Sequence, residues 1–203
     1  MSPRSHPAGW TLLCVTSLAL ALGGCGSTAD EATGGENLSP AQAPDGWTPH
    51  TQGSVELHAP ADWEAFDTGA PADGAVADAT SFGLQAPTPE DGAGSGAFTV
   101  VTDSPQDGAV AVAGSARRTA ESTLGATDVV EEEISWPGAE SAAYLAYTAD
   151  LPMPDGENVI FQYEFLALDL PDGGQAVVNV VGPAEGYADQ AMHAVLASVT
   201  VAP

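Results

Sequence analysis

Basic side chains are nearly absent from this chain. Three arginines and no lysine stand against 28 acidic residues, and the formal net charge is −25. A surface of that sign repels nucleic-acid phosphates and the anionic face of a bilayer. Nucleic-acid binding is therefore excluded, and a membrane contact cannot come from a basic patch. The acidity itself fits solubility, adaptation to high salt or loose cation binding.

Long hydrophobic runs are also missing, and cysteine is scarce. The longest uncharged apolar run, Trp10–Leu22, is shorter than the roughly 20 residues that a membrane-spanning helix needs. It follows Arg4 near the N-terminus, which is typical of a signal peptide. The two cysteines are Cys14, inside this run, and Cys25, just after it.

The residues that end the run are Leu22-Gly23-Gly24-Cys25, and they resemble the bacterial lipobox. That resemblance implies diacylglycerol on the thiol of Cys25, cleavage between Gly24 and Cys25, and an added acyl chain such as palmitate. Two or three acyl chains give stable anchoring where one gives only marginal binding. A plain secretory signal with an incidental cysteine is the alternative. In the lipidated form no thiol would be left for a disulfide, a metal or catalysis.

Composition divides the chain into three parts. Residues 1–24 are predicted to be the signal peptide, and residues 25–44 the lipidated cysteine and a tether. The tether, Gly26–Pro44, has no aromatic residue and no periodicity, so it is expected to be flexible. Residues 45–203 are long enough for a single domain with its own core.

Periodicity within residues 45–203 predicts strands separated by two helices. The helices are predicted over 106–124, with Gly125 as the C-terminal cap, and over 184–196. Residues 171–175, Pro-Asp-Gly-Gly-Gln, predict a hairpin turn. The strand candidates are 53–59, 80–86, 97–102, 127–136, 141–150, 158–170 and 176–182. Consecutive strands with both faces apolar predict an α+β fold, an antiparallel sheet of about six strands covered by helices.

Several of these segments resemble the PsbP-like fold, and in particular the LpqN-type lipoproteins of high-GC bacteria. The matching stretches are "APADW" (59–63), "VVEEEISWPG" (129–138), "YLAYTA" (144–149) and "HAVLASVTV" (193–201). The resemblance implies an α/β/α sandwich and a role as a binding or assembly factor. It supplies no catalytic residue to carry over.

No constellation of catalytic or metal-binding residues is evident. His50, His58 and His193 are scattered, and none has a partner four residues away, so neither a metal site nor a cofactor is expected. The glycines around Ser95 miss the Gly-x-Ser-x-Gly spacing of a nucleophile elbow. The Asp-Gly pairs are typical of turns and lack the spacing of a calcium loop.

Other conspicuous residues favour structural roles. Glu131, Glu132 and Glu133 are predicted to lie on an exposed strand. Arg117 and Arg118 are expected to pair with carboxylates. The tryptophans Trp47, Trp63 and Trp136 could line a pocket, although core packing is the commoner role of large aromatics.

The sequence thus predicts a lipoprotein anchored through Cys25 on the extracytoplasmic face of the cell membrane. It is expected to act as a binding or assembly factor for an envelope partner, without catalysis. Its ligand-binding residues and oligomeric state cannot be identified from the sequence. The alternatives are an envelope hydrolase on the same fold and a lipoprotein that binds a cation or a small ligand.

Overall fold

The computed structural model describes residues 38–66, 68, 79–88, 93–153 and 156–202. The signal peptide, the lipobox Leu22–Cys25 and the tether up to residue 37 lie outside these residues. In chain order the strands are β1 Thr48–Gln52, β2 Val55–Ala59, β3 Glu64–Phe66, β4 Thr80–Gln85, β5 Gly96–Thr102, β6 Thr127–Ile134, β7 Ser141–Pro152, β8 Asn158–Asp169, β9 Gln175–Pro183 and β10 Thr200–Val201. The helices are α1 Ala109–Thr119, which continues as a π-helical turn over Ala120–Leu124, and α2 Met192–Ala197.

Seven strands form one antiparallel sheet in the order β3-β4-β5-β9-β8-β7-β6. A separate three-stranded sheet has the order β1-β2-β10. Alternating Val55 and Leu57 are almost fully buried on β2, as the period-two pattern predicts. The antiparallel α+β prediction is confirmed, but the described residues form more strands than the six expected.

The two faces of the large sheet are covered differently. On one face, here called the α1 face, Ala109 and Ala113 of α1 pack on Ala143 and Ala167 of the sheet. These side chains are small, so the helix backbone can approach the strands closely. The opposite face, here called the α2 face, carries the larger core.

The α2 face is covered by α2 and by the small sheet together. Leu57 of β2 and Val195 and Leu196 of α2 share one buried cluster with Leu166 and Val178 of the large sheet. An α/β/α sandwich therefore describes the domain only roughly, because part of one outer layer is a sheet. Both faces of β8 are nevertheless buried over residues 164–168, as its two-sided apolar pattern predicts.

Helix α1 follows the prediction closely. It begins at Ala109 rather than at residue 106, and its π-helical turn ends at Leu124. Gly125 has the left-handed φ of 64° expected of a C-terminal cap. The hairpin turn is also confirmed, since the N–H of Leu170 donates to the carbonyl of Gly174 at 2.8 Å.

The helix predicted over 184–196 is wrong in its first half. Residues 184–191 form hydrogen-bonded turns, and α2 begins only at Met192. Ala191 has a φ of 63°, which is incompatible with a continuous right-handed helix. Periodicity cannot detect this break because the side chains keep helical spacing on both sides of it.

The stretch assigned to the end of the tether contacts the domain. Leu38 is buried in the larger core, and the N–H of Ala41 donates to the carbonyl of Ala197 at 2.8 Å. Residues 38–44 are thus attached to the folded part, although their composition resembles that of the residues before them.

Candidate functional site: an aromatic groove on the α1 face

The α1 face is only partly covered by its helix. Helix α1 packs over β6, β7 and β8, toward one edge of the sheet. Further across, Phe98 of β5 remains 38% exposed and Phe66 of β3 is 45% exposed. Exposed phenylalanines on a folded domain mark this side of the sheet as a candidate binding surface.

Strand register brings the exposed residues together. Tyr147, Tyr163 and Val181 are cross-strand neighbours on β7, β8 and β9. In the adjacent row, Asn179 of β9 lies between Phe165 of β8 and Phe98 of β5. Residues this far apart in sequence meet because cross-strand partners lie about 5 Å apart.

A cavity of about 380 Å³ opens at this position. It is called the aromatic groove here, and its walls include Phe66, Phe98, Tyr163, Asn179 and Val181. None of the described residues that line it carries a carboxylate or a basic group. An uncharged aromatic lining is notable in a chain with a net charge of −25.

Two glycines make room for the groove. A Cβ at Gly83 would overlap the ring of Phe66, which lies across this position. A Cβ at Gly96 would lie 2.5 Å from the carbonyl oxygen of Leu84, closer than real side chains approach. Gly96 therefore needs glycine for reasons of space, whereas a side chain at Gly83 would displace the exposed ring of Phe66. Neither position has a positive φ.

Tyr163 of the groove wall stacks on Tyr147, which borders the neighbouring cavity beside α1. The rings of Tyr147 and Tyr163 are 4.8 Å apart between centroids and inclined by 10°. Phe161 lies 6.5 Å from Tyr163 in a tilted arrangement. Burial raises the pKa of Tyr163, and burial followed by the neighbouring Tyr163 raises the pKa of Tyr147 to about 12. Both hydroxyls therefore stay neutral at any ordinary pH.

A second cavity of about 460 Å³ lies beside α1. It is bordered by Ala116 of the helix and by Leu145 and Phe165 of the sheet. Asn179 borders both this cavity and the aromatic groove. Its Oδ1 is buried and accepts no hydrogen bond within the described part of the chain.

A polar pair lies under α2 on the opposite face. Glu164 is 3% exposed, and its Oε2 is 2.8 Å from Nδ1 of His193. Nε2 of Gln162 donates to the other carboxylate oxygen at 3.2 Å. Burial, with the Glu164 charge as the second cause, raises the pKa of Tyr144 and of Tyr187.

The residues singled out from the sequence do not converge on a site. Nε2 of His58 lies 3.2 Å from Oε1 of Glu56. The ring of His50 stacks on that of Phe82, with 6.3 Å between their centroids. His193 is a partly exposed residue of α2. In the described ranges, no group of three or more His, Cys, Asp or Glu residues is arranged to hold a metal ion.

The charged strand and the tryptophans have structural surroundings. Nε of Arg117 is 2.6 Å from Oε2 of Glu131, although without the alignment of a hydrogen bond. Trp63 and Trp136 are buried in the larger core, with Trp47 packed against it. Neither cavity of the α1 face is lined by a tryptophan. Core packing, the commoner role, is thus the one observed.

Sequence reasoning did not identify the aromatic groove. Phe98 and Tyr163 occupy ordinary alternating strand positions, and Asn179 interrupts the valine-rich strand β9. That asparagine was the one available signal, because a polar residue on an otherwise apolar strand needs a partner.

No helix that the structure describes has the length and apolarity required to cross a bilayer.

Comparisons with known proteins concern the fold. No family model matches the sequence, and no curated protein does. Among solved structures, the chain is similar to LpqN of Mycobacterium tuberculosis, which is involved in cell envelope biogenesis. The identity is 15%, the match covers 81% of this chain and 90% of LpqN, and the TM-score is 0.49.

The chain is also similar to the cyanobacterial PsbP protein of Synechocystis. That match has 12% identity and a TM-score of 0.51, and it covers 83% of this chain and 98% of the other. An identity this low speaks to architecture and not to activity. The chain has a PsbP-like fold.

Proposed function

We propose that this protein is an envelope lipoprotein that binds a ligand or partner group in the aromatic groove and performs no catalysis. The observation that carries the proposal is the groove itself, an uncharged aromatic cavity on a strongly acidic domain. Pockets lined mainly by apolar side chains with a few polar groups are the usual form of ligand sites.

The location rests on the sequence. The lipobox Leu22–Cys25 supports lipid on Cys25 and attachment to the extracytoplasmic face of the cell membrane. The acidic domain would be repelled by anionic headgroups, so the acyl chains have to supply the attachment.

Mass spectrometry of the protein purified from membranes tests this location. A mature N-terminus at Cys25 that carries diacylglycerol is the expected result. Cys25→Ser should abolish the modification and release the processed chain or leave the precursor uncleaved. Recovery of wild-type protein with an unmodified Cys25 would contradict the proposed anchor.

The binding role is tested with an uncharged environment-sensitive dye such as Nile red. The dye should bind the wild-type domain, and Phe98→Ala should weaken binding several-fold because it removes one aromatic wall. Ile160→Ala is the matched control, since Ile160 is 55% exposed but lies on the α2 face of β8. An equal loss of dye affinity in both variants would show that the dye binds exposed hydrophobic surface in general and not the groove.

The physiological partner would be sought separately. Crosslinking on intact cells followed by purification from membranes should recover a defined envelope component with the wild-type protein and less of it with Phe98→Ala. Repeated recovery of nothing specific would weaken the role as an assembly factor and leave the dye result untouched.

One observation favours the hydrolase alternative. A buried carboxylate that is hydrogen-bonded to Nδ1 of a histidine orients the imidazole to act as a general base. The buried carboxylate of Glu164 makes this contact with Nδ1 of the partly exposed His193. The test is a panel of ester, amide and glycoside substrates from the envelope. Activity that His193→Gln abolishes would favour this alternative over a purely binding role.

A further inference from the structure

A further cavity adjoins the aromatic groove on the side of β3. Its volume is about 340 Å³, and its walls include the side chains of Asp62 and Glu64. It is called the acidic cavity here. Phe66 and Gln85 line both this cavity and the aromatic groove, so the two cavities meet at these residues.

Strand register explains why the two cavities are neighbours. Glu64 of β3 is paired with Gln85 of β4, which is paired with Gly96 of β5. Gly96 is paired in turn with Val181, the cross-strand neighbour of Tyr163. Adjacent strands lie about 4.8 Å apart, so Glu64 is about 10 Å from Gly96 in the groove wall. A carboxylate and an aromatic cavity are thus within the length of one small molecule.

The two carboxylates of the acidic cavity have no counter-charge. Asp62 and Glu64 are exposed, and no arginine or histidine of the described ranges forms an ion pair with either. Such a pair attracts a cation and repels an anion. Phe66, which is 45% exposed between the two cavities, adds to this attraction because an aromatic ring also attracts a cation over its face.

Charge alone does not define a site on this chain, since its 28 acidic residues are spread along the sequence. Asp62 and Glu64 differ from an ordinary acidic surface because they border a cavity that adjoins an aromatic one. Cavities of a few hundred Å³ are typical of small-molecule sites. The combination therefore favours a small ligand with an apolar part and a positive charge.

We propose that the aromatic groove and the acidic cavity together bind small organic cations in which an ammonium group is attached to an aromatic ring. The ring occupies the groove between Phe98 and Tyr163, and the ammonium group lies beside Phe66, Asp62 and Glu64. The inference rests on the proposed binding role of the groove and specifies its ligand class.

The probes are 2-naphthylmethylamine and 2-naphthalenemethanol. They share the same ring and nearly the same size, but the amine is protonated at pH 7 and the alcohol is uncharged. Titration by calorimetry or fluorescence in about 0.15 M salt limits the influence of distant charges. The wild-type domain should bind the amine about fivefold more tightly than the alcohol, a modest preference because the carboxylates are exposed.

A matched pair of double variants separates the acidic cavity from the charge of the whole domain. Asp62→Asn with Glu64→Gln should reduce the preference for the amine to about one. Asp103→Asn with Glu140→Gln removes the same charge from exposed positions that line neither cavity, so it should keep the preference. Phe98→Ala should weaken binding of both probes by a similar factor.

Two controls make the result independent of folding. Unfolding midpoints identify a misfolded variant, and Glu64→Gln alone should already reduce the preference. In the wild-type domain the preference should also fall at about 1 M salt, where exposed charges are screened over about 3 Å.

The outcomes distinguish this inference from the proposed function. Equal affinity of the wild-type domain for the two probes would overturn the role of the acidic cavity, while the groove remains a binding site. A preference that persists in the folded Asp62 and Glu64 variant, or that is lost equally in the Asp103 and Glu140 variant, would overturn it too. Binding of neither probe would contradict the proposed groove function itself.

Discussion

At the residue scale, the shape of the groove depends on two glycines, which have no side chain. Gly83 lies under the ring of Phe66, and Gly96 lies against the backbone of Leu84. The sequence places both glycines in predicted strand or loop segments but cannot show why glycine is needed there. That reason appears only when β4 is paired with β3 and β5, because the crowding atoms belong to neighbouring strands.

Gly83→Ala should close part of the groove. The new methyl group would occupy the space of the Phe66 ring and force that ring outward. Because Phe66 is 45% exposed, its ring can move toward solvent, so we expect a loss of stability below about 1 kcal/mol together with weaker dye binding. Urea unfolding and dye titration measure the two effects.

Gly94→Ala is the control for this substitution. A Cβ at Gly94 would lie 3.6 Å from Oγ1 of Thr88 and 3.8 Å from Nε2 of Gln85, which are ordinary contacts. Its stability should change by less than about 0.5 kcal/mol. If the two variants behaved alike, the position of Phe66 over Gly83 would be wrong.

At the scale of single elements, helix α1 shows what sequence pattern can and cannot establish. The apolar spacing from Val112 to Leu124 predicts the helix, and Gly125 predicts its end. The N-terminus of the helix is capped by a residue distant in sequence, because Gly108, which precedes the helix, has no side chain to act as a cap. The carboxylate of Asp169, at the end of β8, accepts the N–H of Ala109 at 2.9 and 3.0 Å instead.

Asp169→Ala should destabilise the domain by about 1–2 kcal/mol, as loss of an N-terminal cap does. The substitution also removes one of the two acceptors of Nε2 of Gln175, at 3.0 Å. Thermal or urea unfolding gives the loss, and hydrogen exchange at the first turn of α1 should show that it originates there.

Asp107→Ala is the matched control for the cap. It removes the same formal charge beside the same helix end, but the structure uses only the backbone carbonyl of Asp107, which accepts from Gln175 at 2.8 Å. Its effect should be small. A comparable loss of stability would mean that the charge near the helix, and not the hydrogen bond of Asp169, is what matters.

At the scale of the whole molecule, the sequence predicted the class of fold better than its surface. Long strands with two apolar faces indicate a covered antiparallel sheet, and the structure has one. The three-residue strand β3 and the two-residue strand β10 are too short for any periodicity. The aromatic groove could not be predicted from the sequence either, because its residues come from separate strands and are brought together only by the strand register.

The four tyrosines of the chain give the whole domain a predicted sensitivity to alkali. Burial raises the pKa of Tyr144, Tyr147, Tyr163 and Tyr187 above the ordinary value of 10.0. In the unfolded chain these hydroxyls ionise near pH 10, whereas the folded domain keeps their protons. Unfolding then releases protons, so stability is complete below about pH 10 and falls as the pH rises beyond it.

Urea midpoints measured across this range, with tyrosinate absorbance as a second signal, test the sign and the window. Tyr147→Phe should reduce the slope above pH 10, because its pKa of about 12 contributes part of the linkage. A midpoint that stays constant while the tyrosines ionise in the folded domain would contradict their burial.

Both ends of the described domain bond to the layer of α2 and the small sheet that covers the α2 face. Ala41 bonds to the carbonyl of Ala197, and Ala202 bonds to that of Ser54 beside the short pairing of β10 with β2. A mechanical pull on the N-terminal segment would therefore load the hydrogen bond between Ala41 and Ala197 before it reached the seven-stranded sheet. Tension from the predicted tether would then separate residues 38–44 from the domain while the groove, several strands distant, kept its shape.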